Sequence, residues 1–154
     1  MEDFDSKFVE LIPKLTIYAR SLTKEIASAE DLVNTTYIKA RKNIDSFKGE
    51  NLTPWLKTIL KNTFLDNLRK KRESQLGDDT QELMSGGEQE ASLLKRDIDM
   101  CLERLTESAR EIVALKGRGY SYSDISAFTE KTEENVRVVL HRARKDLHDC
   151  LEGN

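Results

Sequence analysis

The stretch 136–147 constrains the fold of this chain more than any other part of its sequence. Its apolar residues recur with the period of an α-helix, so one helix face would pack on a small core. Most of the other positions are basic, and several of them would face outward. The apolar residues are Val136, Val139, Leu140, Ala143 and Leu147, and the basic ones are Arg137, His141, Arg142, Arg144 and Lys145.

The residues ahead of this stretch predict two shorter helices and a turn. Thr106 is placed to cap a helix that ends near Lys116–Gly119, since glycine is favoured just past a helix C-terminus. Ser121 and Asp124 have the spacing of a capping box for the next helix, and Thr132 would cap the basic one. A helix, a tight turn and a basic second helix are the parts of a helix-turn-helix motif, which reads duplex DNA.

Composition indicates an all-α, soluble protein. The chain has 154 residues, enough for one ordinary domain or two small ones. Charged residues make up 34% of it, whereas it has only 7 glycines and 2 prolines. No apolar run reaches about 18 residues, so we expect no membrane insertion. The acidic start is unlike a signal peptide, and we expect a cytoplasmic protein.

The cysteines and histidines predict neither a metal site nor a redox motif. Cys101 and Cys150 are far apart and match no metal-binding or redox spacing. His141 and His148 belong to no cluster of ligands. We therefore expect both cysteines to act as small hydrophobic residues on helix faces, and we expect no metal.

The amino-terminal half predicts three further helices, because its apolar residues also recur at helical spacing. The first covers about Phe4–Leu22 and should be kinked or start later, because Pro13 lies inside it. The second is expected to begin at Ser28, which has the capping-box spacing with Asp31, and to run to about Phe47.

The third of these helices ends in a basic run. Thr53 is expected as its N-cap and Pro54 at its first position, where a missing N–H costs nothing. Residues 57–72 carry six cations against a single acid, Asp66, and such a stripe can bind a polyanion even on a chain of net charge −3. The cations are Lys57, Lys61, Arg69, Lys70, Lys71 and Arg72.

A change in composition separates the two halves of the chain. Residues 73–95 hold six acids and one lysine, and stretches such as Ser85-Gly-Gly-Glu-Gln are too polar to bury a core. We therefore predict two small helical domains, residues 1–72 and 93–154, joined by a flexible acidic linker over residues 73–92.

Two stretches together resemble the extracytoplasmic-function sigma factors, the smallest members of the main bacterial sigma family. Residues 29–40 and 53–72 are similar to the family's second conserved region, and residues 105–147 are similar to its fourth, in the family's order. The resemblance implies a subunit that binds core RNA polymerase, recognises promoter DNA and starts transcription. It also implies an anti-sigma protein as a partner, and it calls for no cofactor.

In the amino-terminal domain, the resemblance implies contacts with the minus-ten element and with the polymerase clamp. Holding a single strand requires cations for the backbone and polar groups for the base edges. The break before the third helix lies where the family has a base-capturing loop, and Trp55 matches the family's tryptophan, although a core anchor is its simpler role. The predicted minus-ten residues are Lys48, Asn51, Lys57, Lys61, Asn62, Arg69 and Lys70, and the predicted clamp residues are Asp31, Asn34, Thr35 and Lys39.

In the carboxy-terminal domain, residues near the start of the basic helix should enter the major groove. We predict that Glu134, Asn135, Arg137, Val138 and His141 meet base edges or a thymine methyl group, and that Arg142 and Arg144 hold phosphates. The turn reads Thr129-Glu-Lys-Thr, where the family often has Leu-Gly-Ile-Ser. Glu130 therefore stands where a positive φ would favour glycine.

Two other classes of function were weighed against this one. A polymerase-independent helix-turn-helix regulator would use the amino-terminal half to dimerise or sense a ligand, and it would bind duplex DNA alone. The basic stripe on the third helix argues against it. An enzyme is disfavoured because no nucleophile sits near a histidine and no phosphate-cradling glycine loop is present.

Overall fold

In the part of the chain that the structure describes, the regular structure consists of seven α-helices and one short 3-10 turn. The computed structural model describes residues 2–23, 25–74 and 89–153, without the side chains of Glu2 and of residues 89–95. Within these ranges no β-strand occurs, and the predicted all-α class is confirmed. The helices are α1 (Glu2–Leu22), α2 (Ile26–Lys42), α3 (Leu52–Ser74), α4 (Gln89–Glu103), α5 (Glu107–Gly117), α6 (Tyr122–Thr129) and α7 (Glu133–Gly153), with the 3-10 turn at Ile44–Ser46.

The chain divides into two compact units, Met1–Asp78 and Asp79–Asn154. Unit 1 contains α1, α2 and α3, and unit 2 contains the other four helices. Most of the predicted acidic linker falls on residues 75–88, which lie outside the described residues.

Unit 1 is a three-helix bundle in which each helix packs on the other two. Its core forms because the apolar residues of α1, α2 and α3 recur at helical spacing and exclude water when the faces meet. Leu15, Leu56 and Leu60 have no exposed surface at all. The other buried apolar residues of the bundle are Phe4, Phe8, Ile17, Tyr18, Ala19, Ala29, Leu32, Val33, Ala40 and Leu52.

A polar tie closes one edge of this bundle between α1 and α2. The Tyr37 hydroxyl donates to Asp5 Oδ1 at 2.9 Å, and the Arg41 guanidinium donates to the Tyr37 oxygen at 2.7 Å and to both Asp5 oxygens at 3.0 Å. The hydrogen bond to Tyr37 and the negative charge of Asp5 raise the pKa of Arg41 above its usual value.

Three details of the helices in unit 1 differ from the sequence prediction. Helix α1 begins at Glu2 and includes Pro13, so the later start that Pro13 suggested is wrong. Helix α2 begins at Ile26 with Glu25 as N-cap, and Ser28 donates to the Glu25 carboxylate at 3.0 Å, so the predicted capping box at Ser28 is wrong. The N-cap of α3 is also wrong by two residues, because Asn51 Oδ1 accepts the backbone N–H of Thr53 at 3.1 Å and Thr53 is already helical.

Unit 2 is organised around α7, on which α4, α5 and α6 all pack. Each predicted cap in this unit is confirmed, because each depends only on residues within one turn. Thr106 accepts the Ala109 N–H at 3.1 Å, and Ser121 and Asp124 form a reciprocal capping box. Thr132 accepts the Asn135 N–H at 3.0 Å at the start of α7.

One prediction for unit 2 is wrong in an informative way. Cys101 and Cys150 are joined as a disulfide, with their Cα atoms 5.9 Å apart. They are separated by 49 positions in sequence, so no short spacing could reveal the pair. Packing of α4 against the far end of α7 brings them together.

The turn between α6 and α7 contains strained backbone. Glu130 adopts the left-handed conformation, with φ 60° and ψ 35°, as expected for the position where the family often has glycine. The turn is braced by the Ser126 hydroxyl, which donates to the Lys131 carbonyl at 2.5 Å. This brace sets the direction in which α7 leaves the turn.

Candidate nucleic-acid interfaces

The predicted minus-ten residues on α3 divide into two neighbouring stripes. Asn62 and Arg69 lie seven positions apart on an outward stripe, together with Leu65, which is 46% exposed. Lys57 and Lys61 lie on the next stripe and are half-buried. The ammonium of Lys57 is 4.6 Å from the centre of the Tyr18 ring, a cation–π contact between α3 and α1.

The carboxy-terminal half of α3 is mostly exposed. Every fully buried residue of α3 lies between Leu52 and Thr63, and beyond that point only Phe64 and Leu68 are half-buried, beside Leu22 and Leu32 of the bundle. Arg69 is paired with Asp66 one turn earlier at 3.5 Å, an exposed pair that would exchange readily for a phosphate. The result is an exposed cationic arm at the end of α3, which includes Arg69, Lys70 and the remainder of the basic run.

The loop before α3 carries the two remaining minus-ten candidates. Lys48 and Asn51 are both exposed. The oxygen of the Asn51 side chain is engaged as the N-cap of α3, so only its amide N–H₂ group can meet a base edge. Trp55 is half-buried, and its ring centre lies 5.0 Å from that of Phe47. Trp55 thus packs on the loop that precedes α3 and is not one of the buried core residues, which differs from the core anchor expected for it.

The predicted clamp residues lie along one side of α2, and the structure adds a member to that side. Asp31 and Asn34 are exposed and Thr35 is half-buried, whereas Lys39 donates to Thr63 Oγ1 at 2.9 Å and ties α2 to α3. Ile38 lies one turn beyond Asn34 on the same side and is 51% exposed. Ile38 is seven positions after Asp31, a spacing that places the two residues on the same side of a helix. That spacing could have identified Ile38, whereas its apolar side chain alone suggests a core residue.

All seven residues predicted to meet DNA on α7 are exposed. The buried positions of that helix are Val136, Leu140 and Ala143, which face the core of unit 2. Val138 is 44% exposed, so an apolar side chain is available on the outer surface of the basic helix. The exposed candidates are Glu134, Asn135, Arg137, Val138, His141, Arg142 and Arg144.

The orientation of Arg137 depends on a residue that sequence reasoning missed. The guanidinium carbon of Arg137 lies 4.5 Å from the centre of the Tyr122 ring, and the ammonium of Lys116 lies 4.3 Å from the same centre. Arg137 also approaches Glu133 at 4.0 Å. Tyr122 is the first residue of α6, so this stacking connects α5, α6 and the start of α7. A tyrosine at a helix start carries no sequence signal for such a role.

Neither a metal centre nor a membrane span is found in the part of the chain that the structure describes. No three histidine, cysteine, aspartate or glutamate side chains come together there as metal ligands. None of the described helices is both long enough and apolar enough to cross a bilayer.

Comparison with known protein families assigns a match to each unit. The family model described as "Sigma-70 region 2" matches residues 8–74, which cover the three helices of unit 1 almost completely. The model described as "Sigma-70, region 4" matches residues 95–147, which include the helix-turn-helix of unit 2.

Individual proteins give the same result. The chain is 36% identical to the "ECF RNA polymerase sigma factor EcfG" of Rhodopseudomonas palustris, over 91% of this chain and 80% of that protein. It is 29% identical to the "ECF RNA polymerase sigma factor SigM" of Bacillus subtilis, over 82% of each. Among solved structures it resembles the sigma factor RpoE of Bartonella quintana in complex with the anti-sigma factor NepR, with a TM-score of 0.61, 34% identity, and coverage of 99% of this chain and 98% of that one.

Proposed function

This chain belongs to the extracytoplasmic-function sigma factors of the sigma-70 family, and we propose from that premise how its two units divide the work of promoter recognition. A sigma factor is a transcription initiation factor that gives core RNA polymerase its promoter specificity. Unit 1 would bind the polymerase clamp and the opened minus-ten element. Unit 2 would bind the minus-thirty-five element as duplex DNA, and the whole would act in the cytoplasm without catalysing a reaction of its own.

The observation that carries the proposal is the presence of two different exposed basic surfaces on one chain. The arm of α3 beyond Thr63 is cationic and exposed, which suits the backbone of a single strand. The outer surface of α7 mixes cations with polar and apolar groups, which suits the major groove of a duplex. An ordinary duplex-binding regulator needs only the second surface.

For the minus-ten element, we propose that Lys48, Asn51 and Asn62 approach bases while the cations of α3 neutralise phosphates. The half-buried position of Lys57 and Lys61 supports a role for them at the edge of the bundle, where a strand leaving the arm would pass. Arg69 and Lys70 would act further along the arm. Removal of one cation that contacts a phosphate should reduce the steepness with which the logarithm of the single-strand binding constant falls with the logarithm of salt concentration, by about 0.7.

For the clamp, we propose that Ile38 supplies the apolar centre of a contact whose polar rim is formed by Asp31, Asn34 and Thr35. Ile38 is 51% exposed in the free chain, and burial of its side chain by a partner would stabilise the complex. Lys39 would act mainly by fixing α2 to α3, given its hydrogen bond to Thr63.

For the minus-thirty-five element, we propose that Arg137 reads a base edge with its guanidinium held by Tyr122. Val138 would meet a thymine methyl group, and Arg142 and Arg144 would hold phosphates. The capped N-terminus of α7, at Thr132, would point toward the groove in the usual docking of this motif.

We further propose that an anti-sigma protein of the NepR type binds this chain. The support is the resemblance to a sigma factor solved in complex with NepR, at 34% identity over nearly the full length of both chains. Addition of a NepR-type protein should abolish transcription by the purified factor. Undiminished transcription at saturating concentration would count against this partner.

The central test is run-off transcription with purified core RNA polymerase and fragmented genomic DNA from the same source. We expect saturable binding to core polymerase and discrete new start sites that share two promoter elements. Tight binding to duplex DNA without any association with core polymerase would instead establish a polymerase-independent regulator.

The clamp surface has a matched control within its own helix. Ile38→Ala removes an exposed isoleucine from the proposed surface, whereas Ile26→Ala removes one that is equally exposed, at 53%, from a different side of α2. We expect Ile38→Ala to weaken core binding about fivefold to tenfold, because roughly half of an isoleucine side chain is involved. Ile26→Ala should leave the affinity unchanged, and equal effects of the two would contradict the assignment.

A further inference from the structure

The only two cysteines of the chain are brought together at one place in unit 2. Cys101 lies in the last turn of α4 and Cys150 in the last turn of α7. Their Cα atoms are 5.9 Å apart, within the range in which a disulfide closes without movement of the backbone. The fold therefore brings the two sulfur atoms to a place where a disulfide joins them.

The disulfide attaches α4 to α7 at the one position of α4 that is buried among its described side chains. Among the described side chains of that helix, from Arg96 to Glu103, only Cys101 is buried, at 2% exposure, and Leu102 packs in part on the small core of Leu105, Ala109 and Ala143. The neighbouring apolar side chains do not share this burial. Ile98 is 38% exposed, Met100 is 55% exposed, and Leu151, next to Cys150, is 41% exposed.

This arrangement matters because of where a sigma factor works, so the inference rests on the proposed function. Thiol reductants keep cysteines reduced in the cytoplasm, and a disulfide that forms there is usually transient or redox-sensing. We propose that Cys101 and Cys150 are a reversible thiol–disulfide exchange site, which a dithiol reductant opens and a peroxide closes, and that the bond sets the stability of the promoter-binding unit.

The two sulfur atoms differ in access, which gives the exchange a direction. Cys150 is half-buried, whereas Cys101 is buried. A thiolate of the reductant attacks Cys150 Sγ, the bond to Cys101 Sγ breaks, and the electron pair leaves on Cys101, which takes up a proton. The second thiol of the reductant then attacks the reductant's sulfur in the mixed disulfide, which closes the reductant's own disulfide. Cys150 leaves as a thiolate and takes up the second proton. Two electrons and two protons pass from the reductant to the protein.

Closure of the bond reverses this balance with a peroxide as the oxidant. The Cys150 thiolate attacks one peroxide oxygen, which forms a sulfenic acid and releases water or an alcohol. The Cys101 thiol then attacks the sulfenic sulfur, the disulfide forms, and water leaves. The buried partner thus protects Cys150 from further oxidation, since it resolves the sulfenic acid from a position already in place.

The bond should change the stability of unit 2 without changing its DNA-binding surface. It closes a loop between positions 49 apart, and closing a loop of that length restricts the unfolded chain. The DNA candidates lie in the first three turns of α7, whereas Cys150 is in its last turn. Oxidation should therefore raise the unfolding temperature of unit 2 by about 10 °C or more and leave promoter affinity at low temperature unchanged.

The test uses the full chain in its oxidised and reduced forms, together with Cys101→Ser and Cys150→Ser as matched variants. Mass spectrometry after alkylation counts free thiols while the protein is equilibrated with mixtures of reduced and oxidised dithiothreitol. The same count is made in cells before and after exposure to hydrogen peroxide. We expect a reversible two-electron transition in vitro, reduced thiols in unstressed cells, and an intramolecular disulfide after peroxide.

Run-off transcription at rising temperature provides the functional readout. The oxidised wild-type factor should retain activity at temperatures where the reduced factor and both serine variants have lost it. Thiols that stay reduced after peroxide, a bond that persists in unstressed cells, or identical heat profiles for the oxidised and reduced protein would each overturn the inference. Both forms are expected to transcribe at low temperature. Absence of transcription from both forms would point to failure of the proposed function instead, whereas loss from only one form would overturn the inference.

Discussion

The turn between α6 and α7 contains a left-handed residue, Glu130, and substitutions there test whether its backbone conformation lowers the stability of unit 2. Glu130 has φ 60° and ψ 35°, a conformation in which the Cβ atom of an L-residue is crowded by its own backbone. That crowding costs roughly 1–2 kcal/mol, and glycine escapes it at the price of about 0.4–1 kcal/mol of additional entropy in the unfolded chain. The midpoints of these two ranges differ by about 0.8 kcal/mol, so Glu130→Gly should stabilise unit 2 by about that amount.

The matched control for this substitution is Glu130→Ala. Alanine removes the acidic side chain from the C-terminal end of α6, where a negative charge is unfavourable, but it keeps the Cβ atom. The difference between the glycine and alanine variants thus isolates the backbone effect. For a unit of this size, 1 kcal/mol corresponds to an increase of about 4–8 °C in Tm.

The assay can separate the two units because the chain has a single tryptophan, Trp55, which lies in unit 1. Circular dichroism follows the helices of both units, whereas Trp55 fluorescence follows unit 1. We expect Glu130→Gly to raise the transition assigned to unit 2 and to leave the fluorescence transition unchanged. If the glycine variant is no more stable than the alanine variant, strain at this turn is not what limits the stability of the motif.

Three further tests, two of them with a control variant, address separate parts of the structure. Tyr122→Leu should weaken binding to the minus-thirty-five duplex about threefold to fivefold in a fluorescence anisotropy titration, because Arg137 loses the ring on which it stacks. Tyr122→Phe keeps the ring and should bind normally, and equal loss in both variants would refute the stacking role. Lys70→Ala should reduce the salt slope of single-strand binding by about 0.7, and an unchanged slope would remove Lys70 from the interface. Ile125 has no exposed surface, so Ile125→Ala should destabilise unit 2 by about 2–5 kcal/mol in urea unfolding. Val138 is exposed, and Val138→Ala should change the stability by less than about 0.5 kcal/mol. Comparable losses of stability in the two variants would contradict the burial pattern.

Local features of the structure were predictable because each depends on residues within one helical turn. Thr106, Ser121 and Thr132 cap their helices as expected, since a side-chain oxygen two or three residues ahead of an unpaired N–H needs no distant partner. The positive φ at Glu130 was expected on a different ground, because the family that the chain resembles often has glycine at this position.

Predictions failed where one local pattern competed with another. Ser28 and Asp31 have the spacing of a capping box, yet α2 begins two residues earlier at Ile26. Asn51 rather than Thr53 caps α3, because both residues have a suitable oxygen and only the path of the preceding loop selects between them. Leu65 belongs to the apolar set that predicts α3, but it lies on the outward stripe with Asn62 and Arg69 and is 46% exposed.

By itself, the sequence determined the helices, most of their caps, the separation into two halves and the basic character of the two candidate interfaces, because periodicity, capping and charge are properties of neighbouring residues. The tertiary structure decided which residues meet across the sequence: Cys101 with Cys150, Lys39 with Thr63, and Arg137 with Tyr122. These contacts depend on how whole helices pack. The packing is set by the summed fit of many side chains, so no single spacing along the chain encodes it.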